Sequence, residues 1–390
     1  MTGAAREATP AELAGWDALT VDVPGGQVFQ SRAWAGHRAS SGWRAHHLVC
    51  DDGRGVLALE RPWPIVGGSR AYLPRGPVAA GDPPEQVAGR LAAVTGWLAA
   101  RGVDVVTSDA ELPARSGYAE RLKALGFQPA EEVQPAQHRM SLALDGAGED
   151  EILAGVAKQT RQRIRGAEAG GIVIRRFDRA GDGDPGPGFA PGPPGELVEA
   201  LTAFHALVTA TGERRGFRLG PLAPFLSWLA AAHAAGLAIY LDARLPGPGD
   251  AAGGVAGAVG AAGGAGRAPR PARAPLAGLL LYRQGDRLST AISGDDSASR
   301  AAHPGVLHVL RWRAIQLAIR EGRREMDLGG VDVAGARHEP RPGEAMYGLY
   351  QHKRDFGAVF VEQVGAHERA LRPWHLALAR TTARVARRLR

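Results

Sequence analysis

Short apolar runs bounded by glycine and proline alternate with helix-length amphipathic segments along the chain, and this order constrains the fold more than any other feature. Stretches at 45–50, 55–61, 69–73, 103–107 and 138–144 read as strands, and 84–101, closed by Gly102, reads as a strongly amphipathic helix. Thr9-Pro10-Ala11-Glu12 is a capping box with proline at the first helical position, and Ser31 can cap a helix carrying Trp34 and Arg38. The order then starts again. A basic helix over 150–169 leads to a strand at 172–177, helices at 196–211 and 221–235, and a strand at 237–243. Strands at 276–282 and 287–292 flank the turn Gln284-Gly285-Asp286, and a long helix covers 303–321. The alternation predicts an α/β class with mixed sheets flanked by helices, in two units of similar order and size. No residue-level repeat relates them. Two stretches lack periodicity, the Pro/Gly-rich 178–195 and the Ala/Gly/Pro/Arg low-complexity 246–275, and both read as disordered loops.

A formal charge of +7 and a pI near 10.0 favour polyanionic partners: nucleic acid, phosphorylated substrates or an anionic membrane face. The single cysteine, Cys50, excludes an intrachain disulfide and a cysteine-based metal cluster, and its apolar run His47-Leu48-Val49-Cys50 marks it as a structural thiol. His46 and His47 alternate faces of a strand and cannot share one metal, so no metal site is expected. The N-terminus lacks a signal-peptide apolar core and no stretch is long enough to span a membrane, which points to a cytoplasmic protein.

The most informative stretch runs from residue 326 to 357. Met326-Asp327-Leu328 reads as a short buried strand entering Gly329-Gly330, where the backbone can turn sharply or let another group approach. A short helix follows, delivering Lys353 beside Phe356 and stopping at Gly357. Of the 47 Lys+Arg residues only Lys123, Lys158 and Lys353 are lysines, so each suggests a need for a compact point charge rather than a planar fork.

Seven spaced motifs together resemble the FemABX-type peptidoglycan aminoacyltransferases, which include the lipid II:glycine glycyltransferases. They are Gln30-x-x-x-Trp34-x-x-x-Arg38, Arg75-Gly76-Pro77-Val78, Asp109-x-Glu111 and the basic helix around Arg161 and Arg165. Glu213-Arg214-x-Gly216-Phe217, Asp327-Leu328-Gly329-Gly330 and Tyr350-x-x-Lys353-x-x-Phe356-Gly357 complete the set in the family's order. The resemblance implies two tandem acyl-CoA N-acyltransferase (GNAT)-like domains. These would be 1–147, completed by 366–390, and 148–365 with the two loops inside it. The implied reaction moves an amino acid, glycine or alanine by family habit, from aminoacyl-tRNA to the stem-peptide amine of a peptidoglycan precursor. The acceptor is lipid II or its UDP-linked counterpart, and aminoacyl-tRNA serves as co-substrate with no further cofactor. A monomer is expected.

By the same resemblance Lys353 lies near the tRNA acceptor end and the reacting carbonyl, and Asp109 contacts the accepting amine. Arg38 and Arg214 hold the precursor's diphosphate, Arg75 sits in the rigid turn Pro74-Arg75-Gly76-Pro77, and Phe356 and His352 flank the lysine. His352 stands where relatives carry an aromatic, and Thr290 and Ile292 fall where they carry an aromatic pair. Arg161 and Arg165 suit phosphates of tRNA or precursor. The C-terminal basic helix, with Trp374, Leu376, Leu378, Val385 and Leu389 near one face, fits either a core-packed closing helix or contact with the inner leaflet. Three rival readings remain: a tRNA-dependent ligase of a metabolite pathway, a CoA-dependent N-acyltransferase, and a catalytically silent nucleic-acid-binding protein.

Overall fold

A computed structural model describes residues 3–134, 138–179, 185–246, 274–333 and 336–388. Its first strands are β1 (Ala5–Glu7), β2 (Arg44–Cys50), β3 (Gly55–Pro62), β4 (Ser69–Leu73), β5 (Val103–Ser108) and β6 (Gln128–Pro129). Then come β7 (His138–Ala143), β8 (Val173–Phe177), β9 (Ala190–Pro191), β10 (Ala238–Arg244), β11 (Ala277–Gln284) and β12 (Arg287–Asp295). The last are β13 (Glu325–Asp327), β14 (Val359–Glu362) and β15 (His367–Ala370). They form two mixed sheets, ordered β1-β2-β3-β4-β5-β15-β6 and β14-β7-β13-β12-β11-β10-β8-β9.

Each sheet buries one face against a long helix. Pro84–Ala99 presents Val87, Leu91, Val94 and Leu98 to Leu48, Val56, Leu73 and Val106 of the first sheet. Val306–Arg320 does the same for the second, through Val309, Leu310, Ile315 and Leu317 against Ile239, Leu279, Leu281 and Met326. A third apolar cluster joins the units, packing Trp16, Trp34, Leu57 and Leu59 against Phe204, Trp228, Tyr240 and Tyr282. Burial of several aromatic rings there makes the seam between the two units part of the core rather than a hinge.

The sheets exchange strands in a way that sequence order does not follow. The strand at 138–144, placed at the end of the first unit by its position, pairs instead with β13 and β14 in the second sheet. In return, β15 inserts between β5 and β6 of the first sheet. The C-terminal helix Pro373–Arg388 then packs through Leu376 and Ala379, leaving Trp374 and Leu378 exposed, while Leu389 lies outside the described residues.

Two expectations need correction. The helix at 150–169 is two, Glu149–Gly155 and Lys158–Ala169, because Val156 and Ala157 turn extended between them. The loop at 178–195 is ordered in its described part. Asp178 is buried between Arg176 and Arg283, and β9 pairs in parallel with β8. Residues 180–184, and 247–273 of the loop at 246–275, lie outside the described residues. No helix among the described residues is long and apolar enough to cross a membrane.

Candidate functional site

The parallel pairing of β12 with β13 brings Asp327 to the C-terminal end of a buried strand, where open α/β sheets place ligands. The Asp327 carboxylate accepts a hydrogen bond from the Gly329 N–H at 2.7 Å, and Gly329 takes φ +83°, a conformation costly for a residue with a Cβ. A Cβ at Gly329 would stand 3.0 Å from the Thr290 carbonyl and 3.4 Å from Lys353 Nζ. The glycine pair therefore makes room for the lysine.

Lys353 enters from the helix Tyr347–Arg354 and is 4% exposed. Its Nζ donates to the Gly330 carbonyl at 2.7 Å. Burial, reinforced by the Arg311 guanidinium, pushes its pKa well below the ordinary lysine value, while Asp327 and Asp332 pull the other way.

The ammonium faces a cleft of about 1460 Å³ lined from both units. The first contributes Gln27, Phe29, Arg75 and Glu111; the second contributes Arg139, Arg163, Arg215, His308, Arg311, His352 and Lys353. Across this seam the Glu111 carboxylate accepts from Arg287 at 2.5 Å and from Gln27 at 2.8 Å, with Arg139 at 3.6 Å. One end of the cleft is apolar, with Phe217, Phe225, Trp228 and Ile292 in its wall. Thr290 and Ile292 both line the cleft, and the Thr290 hydroxyl has no hydrogen-bond partner.

Of the residues expected at the site, Lys353, His352 and Arg75 line this cleft, and the other six do not. Asp109 is buried behind it, accepting from the Tyr72 hydroxyl at 2.7 Å and the Arg75 N–H at 2.6 Å. With both oxygens engaged and its pKa raised by burial, Asp109 holds the Arg75 turn, where Arg75 takes φ 52°. Gln30 locks the same turn from below. Its amide donates to the Pro74 carbonyl at 2.7 Å and accepts from the Leu57 N–H at 2.8 Å.

Arg38 lies away from the cleft, its guanidinium 5.4 and 5.3 Å from the Trp34 and Trp43 ring centres. Arg214 is tied to the Asp295 carbonyl at 2.8 Å, and the adjacent Arg215 takes the cleft wall. Arg161 caps the preceding helix through the Ala154 and Val156 carbonyls, and Arg165 is exposed elsewhere. Arg163, on the opposite face of that helix, is the one that reaches the cleft. Phe356 is core, packing edge-on against His352 at 5.4 Å.

His352 and His308 meet edge to face at 4.6 Å, and Arg163 donates toward His308 Nε2 at 3.3 Å. Burial, with Arg163 and Arg311 beside it, pushes the His308 pKa down to about 4. Its ring is therefore neutral at physiological pH. Its NMR ring resonances should stay flat between about pH 5 and 8, and a midpoint near 6.5 would contradict this burial. Arg311 and Glu111 contribute charge to the site and His308 a neutral ring, and none of the three is among the residues expected there from the sequence. A lone arginine between Leu310 and Trp312 on an apolar helix face was the available signal for Arg311.

A family model for an acetyltransferase (GNAT) domain matches residues 270–354, the span from β11 to the helix bearing Lys353. No curated protein sequence matches the chain. Among solved structures, that of FemX aligns at 19% identity over 96% of this chain and 99% of that one, with a TM-score of 0.70. A conserved protein of unknown function from Bacteroides thetaiotaomicron aligns at 11% identity over 93% and 98% of the two chains, TM-score 0.53. L-PGS from Bacillus licheniformis aligns at 12% identity over 97% and 98%, TM-score 0.50. With its two mixed sheets, this chain has the FemX-type fold of two tandem GNAT-like domains.

Proposed function

We propose that the chain is an aminoacyltransferase that moves an amino acid from aminoacyl-tRNA to an amine of a peptidoglycan precursor. The observation carrying this reading is the buried Lys353, aimed through the Gly329-Gly330 gap into a cationic cleft shared by two GNAT-like domains of FemX type. Transfer needs little covalent help from the protein. The acceptor nitrogen attacks the ester carbonyl, and the carbon–oxygen bond to the terminal ribose then breaks. The proton lost by the attacking amine balances the one gained by the leaving ribose oxygen. What the protein supplies is orientation and stabilisation of the oxyanion.

Lys353 suits that second task. One Nζ hydrogen is held by the Gly330 carbonyl, leaving the others for a carbonyl oxygen in the cleft. An anion arriving beside the ammonium raises its depressed pKa, so the charge is strongest when substrate is bound. The acceptor would enter along the wall formed by Arg75, Glu111 and Arg139. Exposed Trp374 and Leu378, on a helix rich in arginine, favour contact with an anionic leaflet when the acceptor is lipid-linked.

The direct test supplies a panel of charged tRNAs together with lipid II, and separately the UDP-linked precursor, and follows amide formation. Transfer of one small amino acid to either precursor is the expected result. Transfer only to a free amine or peptide would make the enzyme a metabolite ligase. Consumption of acetyl-CoA in place of charged tRNA would overturn the tRNA-dependent reading altogether.

A further inference from the structure

Arg311 is the most anomalous charge in the molecule. It sits on the helix Val306–Arg320 among Val309, Leu310, Trp312 and Ile315, yet it lines the cleft and is only 3% exposed. Its guanidinium donates to the Leu328 carbonyl at 3.2 Å, and its Nε has no partner. Among the described residues no carboxylate forms an ion pair with it. The acids on this side of the cleft, Asp327 and Asp332, act on Lys353 instead. A fully buried guanidinium without a counter-charge is destabilising by itself, so its place in a core needs another explanation.

The groups around it share one chemistry. Arg311 presses on Lys353, His352 and His308, and Arg163 donates toward His308. The His352 Nε2 atom is buried without a partner. A cluster of fixed donors around an uncompensated guanidinium suits a compact anion with several acceptor oxygens, and a phosphate monoester or diester has that form.

Resting on the aminoacyl-tRNA reading, we infer that Arg311, Arg163 and His352 form a phosphate subsite for the 5′-phosphate of the terminal ribonucleotide, whose ribose carries the ester at Lys353. The phosphate supplies the counter-charge that Arg311 lacks. It also fixes the distance between the acyl carbonyl and the lysine, which makes Arg311 a positioning residue for the ester.

The probes are adenosine 5′-monophosphate, adenosine and inorganic phosphate, titrated calorimetrically into wild type, Arg311→Met and Arg311→Lys. Removing a lone buried charge leaves the fold intact, so Arg311→Met should stay folded; Arg311→Lys keeps the charge and guards against misfolding. Binding of adenosine 5′-monophosphate should weaken by at least about tenfold in Arg311→Met, while adenosine changes less than about twofold. Equal nucleotide affinity in wild type and Arg311→Met overturns the inference. If charged tRNA is still used with unchanged KM in that variant, the transferase reading survives and the subsite does not. If the nucleotide binds through Arg311 but no charged tRNA is consumed, the ribonucleotide assignment is overturned. Inorganic phosphate binding as tightly as the nucleotide would overturn it as well.

Discussion

If the proposed transfer holds, Lys353→Ala should lower its rate by about 10²–10³-fold, the usual loss when one preorganised oxyanion donor is removed. The fold should survive. Lys353 is buried with its charge disfavoured, so replacing it with a small apolar side chain removes a desolvated cation at the cost of one hydrogen bond, that to the Gly330 carbonyl. The loss should fall on kcat, because the other cations of the cleft wall, Arg163 and Arg215, still attract the polyanionic substrate. Lys353→Arg should not restore the rate. The space next to Gly329 places Nζ 3.4 Å from a hypothetical Cβ, and a planar guanidinium needs more room and cannot place one donor on Gly330 and the rest on a carbonyl. Single-turnover transfer from charged tRNA measures this step alone. A rate within threefold of wild type in Lys353→Ala would remove the lysine from the chemistry.

Some of this site was legible in the chain itself, and particular residues show why the rest was not. Gly329-Gly330 and Lys353 are legible because a glycine pair and one of only three lysines among many arginines leave marks in the sequence. The resemblance puts Asp109 rather than Glu111 at the amine, but the strand ends at Ser108. Beyond it the chain bends, so Asp109 turns inward to Tyr72 while Glu111 reaches the cleft. Arg161 and Arg165, four residues apart, share a helix face, and Arg163 lies on the opposite one. Helical period separates the two faces without saying which meets a cleft, since the break at Val156-Ala157 resets the direction of the helix. The pairing of β7 in the second sheet is non-local, and a strand's own residues carry no label for its partner. Alternation therefore revealed the class of fold, while its strand order depended on contacts distant in sequence.

Glu111→Ala should produce the largest loss of stability, about 3–5 kcal/mol, because it strands Arg287 in a buried seam, whereas Arg139 keeps Glu325 at 3.4 Å. Arg287 is 3% exposed and joins β12 of one unit to the end of β5 in the other through this single carboxylate. Burial pushes the Glu111 carboxyl up, but Arg287 and Arg75 outweigh it and hold its pKa below the ordinary value. A carboxyl with a depressed folded-state pKa stabilises above its unfolded pKa, and that contribution is lost as pH falls through the folded value. Wild type and Glu111→Ala should therefore differ at pH 7 and converge below about pH 4 in urea unfolding. The origin of the loss can be separated from simple loss of packing. If the cost lies in the orphaned cation, Glu111→Leu combined with Arg287→Met should recover most of it, since an apolar pair can replace a buried ion pair at little cost. A double variant as unstable as Glu111→Ala would instead assign the loss to shape, and the seam would owe its strength to the aromatic cluster of Trp34, Trp228 and Tyr282.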